Sequence, residues 1–234
     1  MRILAFDTCF GACSAAVRWQ GAGGEWLLRE AYEAREHGHA EVLLPMIEEV
    51  MQGAGLEYKE IDRIAVTFGP GLFTGVRTGV AAARAFAVAL ERPVVGLSSL
   101  AVMAHRADLL LGKERAEREL VVAVDARRDS LFVQRFEGPE RRALSEPQLL
   151  EIGEAAGLLD GREALAVGSG AELLQDAMRG RDGVVSAALP QLEPHARSLA
   201  MLAPALHPLD PVRPLYLRAP DAKPGVDQPI ARKH

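Results

Sequence analysis

Apolar residues come in short runs from the first positions of the chain. Residues 3–6 are apolar without a break, the pattern of a strand buried on both faces. Asp7, Thr8 and Gly11 interrupt it. Cys13, Ala15, Val17 and Trp19 then alternate with Ser14, Ala16, Arg18 and Gln20, which predicts a strand with one buried face. Residues 21–24 turn the chain, and residues 26–32 read as a third strand. From position 39 to 51 the period becomes helical, with Leu43, Ile47 and Val50 on one side. Pro45 is placed to kink that helix or delay its start. Residues 61–68 form the next strand, a helix follows the turn Gly69-Pro70-Gly71, and residues 93–97 give a fifth strand. The predicted order is βββαβαβ.

A looser copy follows. Residues 120–124 form an apolar strand ending at Asp125, as the first strand ends at Asp7. Residues 126–130 turn and 131–136 return as a strand. Residues 148–158 read as helical, 165–167 as a strand running into Gly168-Ser169-Gly170, and 171–178 as a helix. The pattern of strand, aspartate, turn and strand occurs twice, and so does the pattern of strand, glycine turn and helix. Residues 194–206 give a last helix with a proline in its first turn. After Arg218 no apolar period remains, so 219–234 reads as a flexible tail. The domain expectation is therefore 1–98, then 99–218 with the last helix, then the tail.

Within the helix after the first glycine turn, Gly75, Gly79, Ala83 and Ala87 recur at i, i+4, i+8 and i+12. One face is thereby reduced to small residues. Because glycine weakens a helix interior by up to about 1 kcal/mol against alanine, such a stripe points to a close contact. It is either a helix pressed onto its own sheet or one shared with another chain. Arg77, Arg84, Glu91 and Arg92 argue against a membrane span.

The net charge of −5 offers no electrostatic footprint for tight, independent binding of nucleic acid. Two cysteines, Cys9 and Cys13, cannot build a disulfide framework and read as buried small residues. No signal-like stretch precedes Asp7, which predicts a cytoplasmic setting without membrane attachment.

Two carboxylates at strand ends, Asp7 and Asp125, are the chemistry a phosphoryl-transfer site uses to hold a metal on phosphate. Each is equally the type of residue that caps a turn. The glycine turns at 69–71 and 168–170 could cradle an anion near a helix start, but neither matches a phosphate-loop signature. The turn after Asp7 has no lysine or glutamine to reach a phosphate. His37 and His39 are two apart and share no helical face; His105, His195, His207 and His234 are scattered. No metal site is predicted. Ser98-Ser99 reads as a helix N-cap.

Several segments together resemble one family, TsaB (YeaZ). They are Ile3-Leu4-Ala5-Phe6-Asp7-Thr8 with Ala12-Cys13-Ser14, and His39-Ala40-Glu41-Val42-Leu43-Leu44-Pro45. Gly69-Pro70-Gly71-Leu72-Phe73-Thr74-Gly75-Val76-Arg77 is the most specific, with Leu72 where the family often has serine. Val95-Gly96-Leu97-Ser98-Ser99-Leu100, Asp125-Ala126-Arg127-Arg128 and Pro214-Leu215-Tyr216-Leu217-Arg218-Ala219-Pro220-Asp221-Ala222 complete the set. The resemblance implies an α/β chain of the actin-like ATPase (ribonuclease H-like) fold, with two βββαβα-type subdomains.

It also implies a non-catalytic dimerisation subunit without a cofactor. Such a subunit supports TsaD, which transfers a threonylcarbamoyl group to N6 of adenosine 37 in tRNAs reading ANN codons. TsaD holds a metal with an H-x-x-x-H pair; the matching segment here, Ser98-Ser99-Leu100-Ala101-Val102, has neither histidine. The implied partners are TsaD through a helical bundle, the ATPase TsaE, tRNA indirectly through the complex, and a second copy when TsaD is absent. The bundle would use His39, Leu43, Met46, Ile47, Gly75, Val76, Gly79, Val80 and Ala83. Asp7, Thr8, Asp125, Gly168, Ser169 and Gly170 are candidates for a degenerate nucleotide pocket. The alternative is a stand-alone phosphotransferase or ATPase of this fold using Asp7 and Asp125.

Overall fold

The first apolar run becomes β1 (Arg2–Asp7), the middle strand of a five-stranded sheet in the computed structural model, which describes residues 1–112 and 118–218. On one side β1 pairs antiparallel with β2 (Ala12–Gln20), and β2 with β3 (Trp26–Ala34). On the other it pairs parallel with β4 (Arg63–Thr67), and β4 with β5 (Val94–Leu97). The parallel pairs need crossovers. These are α1 (His39–Ala54), between β3 and β4, and α2 (Phe73–Leu90), between β4 and β5.

The second sheet repeats the plan. β6 (Glu119–Asp125) pairs antiparallel with β7 (Ser130–Glu137), which carries β8 (Arg142–Ala143) and β9 (Gln148–Glu151). On its other side β6 pairs parallel with β10 (Glu163–Val167), and β10 with β11 (Val184–Ala188). The crossovers are α4 (Ile152–Gly157) and α5 (Ala171–Ala177). The orders β3-β2-β1-β4-β5 and β8-β7-β6-β10-β11 are the same order twice. This is the duplicated ribonuclease H-like, actin-like fold.

Strand alternation sets the layers. Leu4 and Phe6 of β1 pack with Leu43, Ile47, Val80 and Ala83 of α1 and α2. Ile3 and Ala5 face the other way, onto Leu199, Ala200 and Ala203. Those belong to α6 (Ala196–Leu202) and the short 3-10 helix after it, Ala203–Ala205. Although α6 follows the second sheet in sequence, its buried face lies on the first. Between the sheets runs α3 (Ser99–Leu111). Its Val102 packs on the first sheet, and Leu100, Met103 and Ala107 pack on the second. Ser98 caps it, its Oγ accepting from Ala101 N at 3.0 Å.

The structure changes three expectations. Residues 148–158 are not one helix: Gln148-Leu149-Leu150-Glu151 pairs with β7 before α4 begins. Pro45 does not delay α1, which starts at His39 and carries the proline inside it. β8 and β11 have no counterpart in the apolar pattern. The expected tail at 219–234 lies outside the described residues. Among the described residues α2 is the one helix long and apolar enough to cross a membrane. Here its inner face, Val76, Val80 and Ala83, is core, and two arginines stand on its outer side.

Candidate functional site

Asp7 and Thr67 end adjacent parallel strands, at the edge where folds of this kind bind ligands. Asp7 is fully buried. Its carboxylate accepts from the Thr67 hydroxyl and, at 3.4 Å, from the backbone N–H of Cys9. Burial pushes its pKa up to about 6 against the pull of those two hydrogen bonds. The carboxylate is spent on its own turn, the capping role that a strand-end aspartate can take.

Asp125, its counterpart, sits at the surface and accepts from Arg127 N at 2.7 Å. The second glycine turn is likewise turned inward. Gly168 N donates to Leu189 O at 3.2 Å and Gly170 N to Ala123 O at 3.0 Å. The Ser169 hydroxyl accepts from Asp125 N at 3.0 Å. The two amides that could have cradled an anion bond the residue after β11 and Ala123 of β6 instead.

The space between the two sheets is filled. Phe10, from the β1–β2 turn, meets Phe132 of β7 with ring centroids 6.1 Å apart. Leu192, from the segment joining β11 to α6, packs into the same cluster with Cys9 and Val76. The next residue, Glu193, accepts from Gly11 N at 3.1 Å, and its carbonyl accepts from Arg106 Nη1 at 2.8 Å. Burial and the nearby Asp7 push the Glu193 carboxyl up to about 7. His195 accepts from Arg197 N through Nδ1 at 3.0 Å, which leaves its ring proton on Nε2. It stacks on Tyr32 at 5.1 Å, while burial and Arg106 push its pKa down to about 4. Arg106, Glu193, His195 and Tyr32 carry no sequence motif, and the bond from Gly11 to Glu193 spans 182 positions.

Thr8 explains the small-residue stripe. Its hydroxyl donates to Gly75 O at 2.7 Å. A Cβ on Gly75 would lie 2.0 Å from Thr8 O, and one on Gly79 would lie 2.7 Å from Thr8 Oγ1. The close approach predicted for these glycines is made inside the chain, to the β1–β2 turn. The other predicted partner-facing residues, His39, Leu43, Met46, Ile47, Val76, Val80 and Ala83, are buried here too. His39 Nε2 bonds Phe10 O at 2.9 Å. The stripe could not be oriented from sequence, because both faces of the helix are rich in alanine.

The surface these helices leave open is the opposite one. Leu44 on α1 is 57% exposed, and on α2 Phe73 is 41% and Val88 81% exposed. Ala81 and Ala85 are exposed between them. Positions 73, 77, 81, 84, 85 and 88 follow one face of α2, so this is a stripe of apolar and small residues with Arg77 and Arg84 in it. Ser98 Oγ contacts Gln134 Oε1 at 2.9 Å, and Val102 is fully buried.

Comparison with known proteins gives consistent results. The family model for TsaD, tRNA N6-adenosine threonylcarbamoyltransferase, matches residues 33–176, more than half of the chain. The tRNA threonylcarbamoyladenosine biosynthesis protein TsaB of Escherichia coli is 30% identical over 178 residues, covering 73% of this chain and 72% of its own. An uncharacterised protein of Mycobacterium bovis is 33% identical over 225 residues, covering 95% of this chain and 94% of its own. The solved structure of YeaZ from Pseudomonas aeruginosa superposes with a TM-score of 0.76 at 31% identity, covering 92% of this chain and 99% of that one. The shared fold and the identity sustained along most of both chains agree: the chain belongs to the TsaB (YeaZ) family.

Proposed function

We propose that this protein is an accessory subunit of tRNA threonylcarbamoyladenosine synthesis. It performs no transfer itself and holds the catalytic transferase, TsaD, through the outer faces of α1 and α2. The observation that carries the reading is a contrast. The inter-sheet space, where a member of this fold would work on a ligand, is filled by Phe10, Phe132 and Leu192. Meanwhile the two long helices of the first unit present an open apolar stripe at Leu44, Ala81, Ala85 and Val88. Such a surface is what an interface core needs.

The stand-alone phosphotransferase reading needs carboxylates open to a metal and a phosphate. Asp7 is sealed, and Asp125 is engaged with its own turn. A cytoplasmic setting, a link to the ATPase TsaE, and a self-pair through the same helices when the transferase is absent belong to the same proposal.

Reconstitution by omission tests it. The chain, the transferase, TsaE, a tRNA reading ANN codons and threonylcarbamoyl-adenylate are mixed, and each is left out in turn. Loss of modification on omitting either the chain or the transferase is the expected result. Modification by the chain without the transferase, or Mg²⁺-dependent ATP turnover by the chain that Asp7→Asn removes, would reverse the assignment.

A further inference from the structure

The segment that leads from β11 to α6, residues 189–195, crosses between the two sheets. It starts at Leu189, whose φ of 49° lies in the left-handed region and whose carbonyl accepts from Gly168 N at 3.2 Å. It ends where Ala196 N donates to Ser14 Oγ at 2.9 Å. Pro190 and Pro194 stiffen the stretch between these anchors. Leu192 is buried in the middle of it. Its cluster includes Cys9 and Phe10 from the first unit and Phe132 and Val167 from the second. The segment is a wedge that joins the units.

Between the anchors, its polar hold on the first unit is made at Glu193. The carboxyl accepts from Gly11 N at 3.1 Å, and the carbonyl accepts from Arg106 Nη1 at 2.8 Å. A Cβ on Gly11 would lie 3.0 Å from Glu193 Oε1, so the carboxyl is pressed against the β1–β2 turn. Asp7, fully buried, closes the strand that leads into that turn. The cation that acts on both carboxyls is Arg106 of α3, and its hydrogen bond goes to a backbone carbonyl.

We propose that residues 189–195 are a proton-controlled strap: it lies closed between the sheets while the Glu193 carboxyl is protonated, and ionisation of that carboxyl beside Asp7 releases it and loosens the join between the units. With the strap closed, a charge on Glu193 would face Asp7 in surroundings that screen like charges poorly. With the strap open, water solvates it. The bond from Gly11 and the charge of Arg106 favour the ion, but burial and Asp7 outweigh them and push the Glu193 carboxyl up to about 7. The closed strap therefore binds the proton better than the open one. Closure is favoured most below the ordinary carboxyl pKa of about 4, and that contribution is lost as pH rises through 7.

The groups around Glu193 do not account for a change in that range. Burial and Arg106 push His195 down to about 4, and burial pushes the Cys13 thiol up to about 12 and Cys9 well above its ordinary value. Glu30 of β3 and Arg197 of α6, which both act on His195, are paired with each other at 2.9 Å. Toward the second sheet the wedge meets Phe132 and Val167, which carry no charge. Asp7, pushed up to about 6 by burial, shifts with the same sign. The strap is a property of the chain alone and does not depend on the proposed partnership.

The test is amide hydrogen exchange on the full chain, resolved by residue with NMR at pH 6 and pH 8 and corrected for the intrinsic rate. The Gly11 and Leu192 amides are expected to exchange faster than those of Leu4 in β1 and Val122 in β6 at both pH values, as a local opening requires. Their protection should fall about tenfold from pH 6 to pH 8. In Glu193→Gln, which keeps an acceptor for Gly11 N, it should change by about twofold or less, the share left to Asp7. Protection equal to that of Leu4 and Val122 would mean that the segment opens only with the whole fold, and would overturn the proposal. So would a wild-type profile that is flat between the two pH values, or the same tenfold fall in Glu193→Gln.

Discussion

Gly75 and Glu193 are the residues on which the two halves of the account turn. At Gly75 a methyl group would meet Thr8 O at 2.0 Å, a backbone atom that cannot swing aside. Gly75→Ala should therefore destabilise the fold by about 3 kcal/mol, in the range for overpacking a core. Ala81→Ser, on the exposed face, should stay within about 0.5 kcal/mol. Urea unfolding separates the two.

Glu193 makes a prediction about pH. Its folded pKa, about 7, and that of Asp7, about 6, lie above ordinary carboxyl values because of burial, with the nearby Asp7 adding to the shift at Glu193. The folded state thus favours the protonated acids. Their contribution is full below the unfolded pKa near 4 and is lost as pH rises through 6 and 7. Glu193→Gln keeps an acceptor for Gly11 N and removes the charge. It should match wild type at pH 5 and be more stable by about 2 kcal/mol at pH 8, after allowance for partial exposure. An equal difference at both pH values would remove the assignment of that titration to Glu193.

Among the elements, α1 carries an apparent flaw. Pro45 lies inside the helix, where it withholds a backbone donor, and its side is exposed. Proline at such a position costs about 3 kcal/mol against alanine. Pro45→Ala should stabilise the isolated chain by about 1 to 3 kcal/mol, seen as a raised midpoint of thermal unfolding. Elements with a long apolar period were readable from sequence. Residues 3–6 and 120–124 are buried on both faces, and α1 and α2 each turn one apolar side to a sheet. The short edges were not. Gln148-Leu149-Leu150-Glu151 has the composition of a helix, and its pairing with β7 decides otherwise. In β11 two alanines give no alternation to read, and the edge amide of Ala187 is closed by Gln175 Oε1 at 2.8 Å.

At the scale of the whole molecule, the duplication was visible as two aspartates closing two apolar strands. What those aspartates do was not visible. Asp7 is silenced by Thr67, which is 60 positions away, and the space above it is closed by Leu192 and Glu193 from the far end of the second unit. No local spacing encodes such contacts. Likewise the small-residue stripe revealed that α2 makes a close contact, and only Thr8 shows that the contact is internal. The open stripe on the other side of α2 is therefore the part of the molecule that the proposed role depends on.

The most direct test is the affinity of the purified transferase for this chain with Val88→Glu, a residue 81% exposed and outside the core. The account predicts an unfolding midpoint within about 0.5 kcal/mol of wild type. It also predicts binding weakened by about tenfold or more, as a charge in an interface core would cause, with tRNA modification falling in step. A folded Val88→Glu chain, joined by Ala85→Arg, that binds the transferase as wild type does would contradict it.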